Sequence, residues 1–268
     1  MVATQDLTLT GKMPVVFVGH GSPENAILDN AFTRRMEQVG QELPQPKAVL
    51  AVSAHWLTHG THVTGMARPQ TIHDFYGFPR EMYALSYPCP GAPEYAERVR
   101  RLVTKTDVGW DLEWGLDHGT WTILRRMYPE ANVPVFQLSI DYGQPPEYHY
   151  ALAKELAPLR EEGVLILGSG NITHNIWVTD YPDLDAPPRA WAVEFDERVK
   201  AALLHRDHAP LVHYRNWGRV ADLAVPTNDH YLPMLYVAGL QEEEDTVKFV
   251  HEGFHYGTLS MRCFQIGQ

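Results

Sequence analysis

The stretch Val15-Val16-Phe17-Val18-Gly19-His20-Gly21-Ser22-Pro23 decides the fold. Four apolar residues in succession make a short buried strand, and it stops abruptly at a histidine with glycine on either side. Glycine carries no Cβ, so the chain can turn sharply there and bring its backbone close to a bound group. In open α/β sheets such strand ends line the ligand crevice. The pattern returns at Ala48-Val49-Leu50-Ala51-Val52-Ser53-Ala54-His55-Trp56. It returns again at Val164-Leu165-Ile166-Leu167-Gly168-Ser169-Gly170-Asn171, with His174 just beyond. The three ends, at Gly19, Ser53 and Gly170, are expected to converge on one pocket.

Working outward, Asp29 or Asn30 can cap a helix carrying Phe32, Met36, Val39 and Leu43, one apolar face at helical spacing. Pro44 and Pro46 end it. This β-α-β unit suggests that strands 14–19 and 47–53 form a parallel pair. Residues 57–92, rich in aromatics, proline and glycine, read either as an ordinary packed connection or as a structured insertion covering a site. Pro93 suits the first position of a helix. Further helices are expected near Leu124 and Met127, over 146–156, over 188–204 with Trp191, Phe195 and Val199 buried, and after Pro233. Strands are expected at 108–112 and 133–140, and the closing segments 247–250 and 260–265 read as an antiparallel edge. The fold class is therefore α/β, one domain over residues 1–268, with a mostly parallel central sheet, helices on both faces, and residues 1–12 as a loosely held lead-in.

A chain of 268 residues can bury a sizeable core in one domain. Its net charge of -11 argues against a nucleic-acid partner, which would want a basic face. No apolar run reaches the roughly 20 residues of a membrane span, and the first residues lack the basic and apolar regions of a signal peptide. Two cysteines, Cys89 and Cys263, are too few for a disulfide framework or a thiolate zinc site. The expected home is the cytoplasm. Oligomeric state is left open.

Fourteen histidines make any single one uninformative, so position must carry the argument. His20, His55, His118, His174 and His230 stand at element ends beside glycine or proline; His59, His149, His205 and His208 sit in polar or helical settings and read as surface residues. There is no His-Glu-x-x-His pair, no nucleophile elbow around Ser169 and no phosphate-cradling lysine loop. Neutral imidazoles suit zinc, copper, iron and nickel, and three of them with open positions describe a catalytic metal site. Histidines also cap helices and fill cores, so spacing alone leaves both readings open.

Six ordered motifs go further: Gly19-His20-Gly21-Ser22-Pro23, Ser53-Ala54-His55-Trp56, His73-Asp74-Phe75-Tyr76-Gly77-Phe78-Pro79, Leu116-Asp117-His118-Gly119-Thr120-Trp121, Gly168-Ser169-Gly170-Asn171 with His174, and Asp229-His230-Tyr231-Leu232-Pro233. Together they resemble the DOPA-type extradiol dioxygenases of the class III ring-cleaving superfamily. The resemblance implies that His20, His55 and His230 hold a metal. His174 would be an acid/base group or a fourth ligand, and His118 a substrate-pocket partner. It implies a small aromatic diol such as DOPA and dioxygen as reactants, and a ring-opened semialdehyde acid as product. Fe(2+) would serve activity. Because the superfamily's protocatechuate branch uses two histidines and a carboxylate, an all-histidine set suits Zn(2+) at least as well, and zinc is a metal the protein could carry. Trp56, Phe75, Tyr76 and Phe78 could wall the pocket. Two alternatives use the same fold: a zinc hydrolase or lyase, and a non-catalytic binding protein.

Overall fold

The computed structural model describes residues 11–268; all of the expected lead-in except Gly11 and Lys12 falls outside them. The central sheet has six strands: β1 (Val15–Gly19), β2 (Ala48–Ser53), β3 (Val135–Gln137), β4 (Val164–Gly170), β5 (Val247–His251) and β6 (Cys263–Ile266). Their order is β3-β2-β4-β1-β6-β5. The first four are mutually parallel. β6 and β5 close one side as an antiparallel edge, as expected from the sequence.

β1 and β2 run parallel but are not neighbours, which corrects the expected pair. β4 lies between them, so that Ile166 pairs with Val15 on one side and Leu50 on the other. β4 is seven residues long and buried throughout, and a central position lets both of its backbone edges be hydrogen-bonded. The expected strand over 133–140 is also divided. Val135–Gln137 stays in the sheet beside β2, whereas Ile140–Asp141 leaves it to pair with Leu57–Thr58.

Side chains alternate between two cores. Val15, Phe17, Leu50, Val52 and Ile166 face one, and Val16, Val18, Val49, Leu165 and Leu167 the other. The second face is covered by α1 (Ala31–Glu42) through Phe32, Met36 and Val39, and by α3 (His118–Met127) through Ile123, Leu124 and Met127. α2 (Pro93–Leu102), α4 (Pro146–Glu155), α5 (Ala190–Leu204) and α6 (Leu232–Gly239) cover the first. Asn30, rather than Asp29, caps α1. Its side chain accepts from the Thr33 amide while the Thr33 hydroxyl accepts from the Asn30 amide, a closed capping box. α5 buries Phe195 and Val199, but Trp191 remains half-buried.

α6 is buried at every position, and it sits against β4 through glycine. A Cβ on Gly170 would lie 2.1 Å from the backbone oxygen of His230. Only glycine permits that approach, which brings the turn before α6 onto the strand ends. Gly21, with φ +63°, turns the chain away from β1 just after His20.

Candidate active site

The carboxyl ends of β1, β2 and β4 open onto one crevice. His20 follows β1 directly, His55 lies two residues past β2, His118 opens α3, His174 lies past β4, and His230 precedes α6. Ring nitrogens of His20, His55 and His230 all fall within 4.8 Å of one another, and Nε2 of His20 is 3.2 Å from Nε2 of His55. The ring of His174 stacks on His230 at 3.4 Å between centroids, and that of His118 lies 3.8 Å from His55. Five histidines widely separated in sequence thus share one small volume.

The hydrogen bonds fix how these rings present themselves. Ser169 Oγ donates its proton to the Gly119 carbonyl at 2.5 Å, so at 2.9 Å from His20 Nδ1 it can only accept. His20 therefore carries its proton on Nδ1. His230 Nδ1 is bonded to the Asp229 carboxylate, an acceptor, which fixes the same tautomer. Asp74 Oδ2 lies 3.5 Å from His55 Nδ1 and gives that ring the same bias. His20 and His55 are then left with Nε2 lone pairs that face one another at 3.2 Å, and the bond to Asp229 orients the His230 ring beside them. Burial, followed by the neighbouring imidazoles, pushes His20 and His55 well below the ordinary histidine range, so protonation does not relieve the repulsion.

This donor set fits a metal ion. Imidazole–metal bonds of about 2.1 Å at an angle near 100° place two nitrogens about 3.2 Å apart, which is the His20–His55 separation. The Ser169, Asp229 and Asp74 oxygens behind the rings are the outer partners that orient metal-binding histidines.

Three carboxylates escaped the sequence reading. Asp74 accepts from His118 Nδ1 at 2.9 Å and from the His118 amide at 2.8 Å. Burial raises its pKa, but those bonds outweigh burial and the net direction is down. Asp229 behaves alike, with the His230 contact prevailing over burial. Asp117 is buried beneath the site, accepting from Ser53 Oγ at 2.6 Å and Gln137 Nε2 at 2.7 Å; burial and the nearby Asp74 push its pKa up. Asp229-His230 and Asp117-His118 are adjacent in sequence, a signal that could have found two of the three. Asp74 reaches His118 across 44 residues and has no such signature.

The histidines line a cavity of about 490 Å³. Phe75, Tyr76 and Phe78 also line it, so the 57–92 segment covers the site. Trp56 does not. Its ring is buried, stacked on Trp114 at 5.9 Å, because it points from the far side of the turn that carries His55. His149 is a second correction: it is fully buried, with Nδ1 3.0 Å from the Tyr236 hydroxyl, rather than at the surface. It shares a helical face with Leu152, Ala153 and Leu156, a spacing the sequence does display.

Comparison with known proteins decides the family. Residues 10–263 match the model of the catalytic LigB subunit of aromatic ring-opening dioxygenase. The chain belongs to this family of extradiol dioxygenases. It is 44% identical over 260 residues to the 4,5-DOPA dioxygenase extradiol of Escherichia coli K12, covering 96% of this chain and 95% of that one. The protein of the same name from Beta vulgaris is 35% identical over 260 residues, covering 93% and 94%. A crystal structure of an uncharacterised Escherichia coli K12 protein superposes with a TM-score of 0.83 at 40% identity, covering 96% of this chain and 100% of that one. The extradiol family implies a metal, which the three-histidine cluster can accommodate. Its members' names imply an aromatic diol and dioxygen as reactants. No helix among the described residues is long and apolar enough to cross a membrane.

Proposed function

We propose that this extradiol dioxygenase opens the ring of a small catechol beside its diol, DOPA being the catechol in its relatives' names, with iron(II) held by His20, His55 and His230. One observation carries this reading: ring nitrogens of His20, His55 and His230 gather within 4.8 Å of one another on the floor of a cavity, with two further histidines beside them. The chemistry iron(II) supplies when bound there is to gather both catechol oxygens and dioxygen, lower the phenol pKa and let electron density pass from diol to oxygen.

The chain's own residues do the rest. His174 lines the cavity, and burial first, then His230, hold its pKa well below the ordinary value. Standing beside the diol, its ring accepts the proton of a catechol hydroxyl and returns it as the ring opens. Asp74 fixes the proton of His118 on Nδ1, which leaves Nε2 to accept a hydrogen bond from the substrate. Phe75 and Phe78, packed edge to face at 5.4 Å, wall the ring and exclude water. Atoms balance without an outside reductant. A carbon–carbon bond beside the diol and the O–O bond break, two carbon–oxygen bonds form, and one semialdehyde acid contains both oxygen atoms.

Metal exchange tests the reading. Three imidazoles should take zinc readily, and divalent affinities at nitrogen sites run higher for zinc than for iron(II). Zinc has a filled d shell and no redox chemistry. Protein reloaded anaerobically with iron(II) should consume one dioxygen per catechol, whereas zinc protein at equal occupancy binds catechol and consumes none. Equal oxygen uptake by iron-free zinc protein would overturn the mechanism; no uptake by either form, with hydrolase or lyase turnover by the zinc form, would replace it.

A further inference from the structure

Tyr256 stands where the backbone does not favour it. It begins the turn that joins the short strands Phe254–His255 and Leu259–Ser260, and its φ is +54°. Gly257 follows at +72°. Glycine, asparagine and aspartate are the residues that suit left-handed turn positions, and a bulky side chain there is strained. Strain of this kind persists only where the surroundings hold it, and it clusters at functional sites. Two backbone hydrogen bonds hold this one: the Tyr256 amide donates to the Leu184 carbonyl at 3.1 Å, and the Asp180 amide donates to the Tyr256 carbonyl at 3.0 Å. Among the described residues Ala131 and Arg206 also have positive φ, but of the three only Tyr256 lines the histidine cavity.

The turn places an aromatic ring in the cavity wall. Tyr256 is 4% exposed, and its ring lies 5.3 Å from that of Tyr181 between centroids, inclined at 52°. Tyr181 lines the cavity as well, from the loop after His174. A ring face carries the negative side of its quadrupole and attracts a cation within about 6 Å of the centroid. No lysine or arginine lines the cavity among the described residues, so no cation of the protein competes for these faces. The diol of a catechol is held at the histidine floor, where its oxygens meet the charge of the metal. A DOPA-like side chain carries its ammonium two carbons from the ring, and that group falls to the walls.

Resting on the ring-cleavage reading, we propose that Tyr256, with Tyr181, binds the ammonium group of a catecholic amine or amino acid through its ring face, and that the strained turn serves to place that face.

The test pairs catechols that differ in the ammonium group: dopamine against 4-propylcatechol, and DOPA against 3-(3,4-dihydroxyphenyl)propanoate. Two readouts are taken: kcat/KM for oxygen uptake by iron(II)-loaded enzyme, and Kd by calorimetry on zinc-loaded enzyme. The ammonium compound should lead in both pairs. The metal ion repels an ammonium equally in parent and variants, so the change in each ratio on substitution isolates the rings. Tyr256→Leu should lower both ratios about three- to tenfold, the scale of a partly desolvated cation–π contact. Tyr256→Phe keeps the face and should keep the ratios. Tyr256→Asn suits the turn and Tyr181→Leu alters a ring at the surface, so these two guard against a folding defect and should lower the ratios likewise. Ratios near one in the parent overturn the proposal, as do ratios that Tyr256→Leu and Tyr256→Asn leave unchanged. If no catechol consumes oxygen, the ring-cleavage reading fails by itself and the calorimetric ratios still decide the role of Tyr256; if none binds, both fall.

Discussion

Ser169→Ala probes the site through a residue that would never touch the metal. Ser169 Oγ accepts from His20 Nδ1 at 2.9 Å and donates to the Gly119 carbonyl at 2.5 Å, and both contacts are buried. Alanine leaves the buried His20 N–H without a partner and takes one of two donors from the Gly119 carbonyl, which lies within α3. Stranding one such group costs roughly 1–3 kcal/mol. It also frees His20 to carry its proton on Nε2, which removes the lone pair from the metal-facing side. Loss of an outer partner of this kind typically weakens metal binding about 10–100-fold. The assay is competition against a chromophoric chelator, with zinc and with iron(II) under anaerobic conditions, and thermal unfolding of the metal-free protein in parallel. Zinc and iron(II) affinity should fall together by that factor, and the metal-free variant should unfold at lower temperature. A variant that is destabilised yet binds metal as tightly as the parent would refute the argument that Ser169 sets the His20 tautomer.

Three other substitutions separate metal binding from chemistry. His20→Ala should lose metal and activity together, whereas His174→Gln and His118→Gln should retain most metal and lose turnover; elemental analysis beside oxygen uptake decides, and an emptied site in His174→Gln would make His174 a ligand. His149 bears on stability instead. Burial pushes its pKa down from 6.5 to about 4, so the folded protein binds fewer protons than the unfolded chain between those values. Stability is consequently lost as pH falls through the ordinary histidine value, and the loss is complete below about 4, at roughly 3 kcal/mol. His149→Gln should therefore flatten the acid side of the stability profile measured by denaturant unfolding, and an unchanged slope would show that His149 is not its source.

What could be read in advance follows the range of the interactions involved. α1 was legible because Asn30, Phe32, Met36 and Val39 are all local signals, a cap and a face within three turns. The glycine-bounded ends of β1, β2 and β4 were legible for the same reason. Strand order was not: β4 lies more than a hundred residues beyond β2 in the chain, and nothing near either strand records that it inserts between β1 and β2. Gln137 and Ile140 belong to one apolar run, yet the chain leaves the sheet between them, where the Ser139 amide bonds to the His62 carbonyl at 2.8 Å, a partner 77 residues away. At the site, the histidines announced themselves at element ends, but Asp74 and Ser169 did not, since their roles arise only when distant segments meet. Trp56 misled because sequence adjacency to His55 says nothing about which side of a turn a ring takes.

The measurement that tests the central claim most directly is the fate of the oxygen atoms. Iron(II)-loaded enzyme turns over a catechol under isotopically labelled dioxygen in unlabelled water, and the product is trapped by rapid reduction before its aldehyde oxygen exchanges. Ring cleavage beside the diol predicts two labelled atoms in each product, one in the new carboxylate and one at the former aldehyde carbon. Product carrying a single labelled atom, or oxygen drawn only from water, would contradict a dioxygenase built on these histidines.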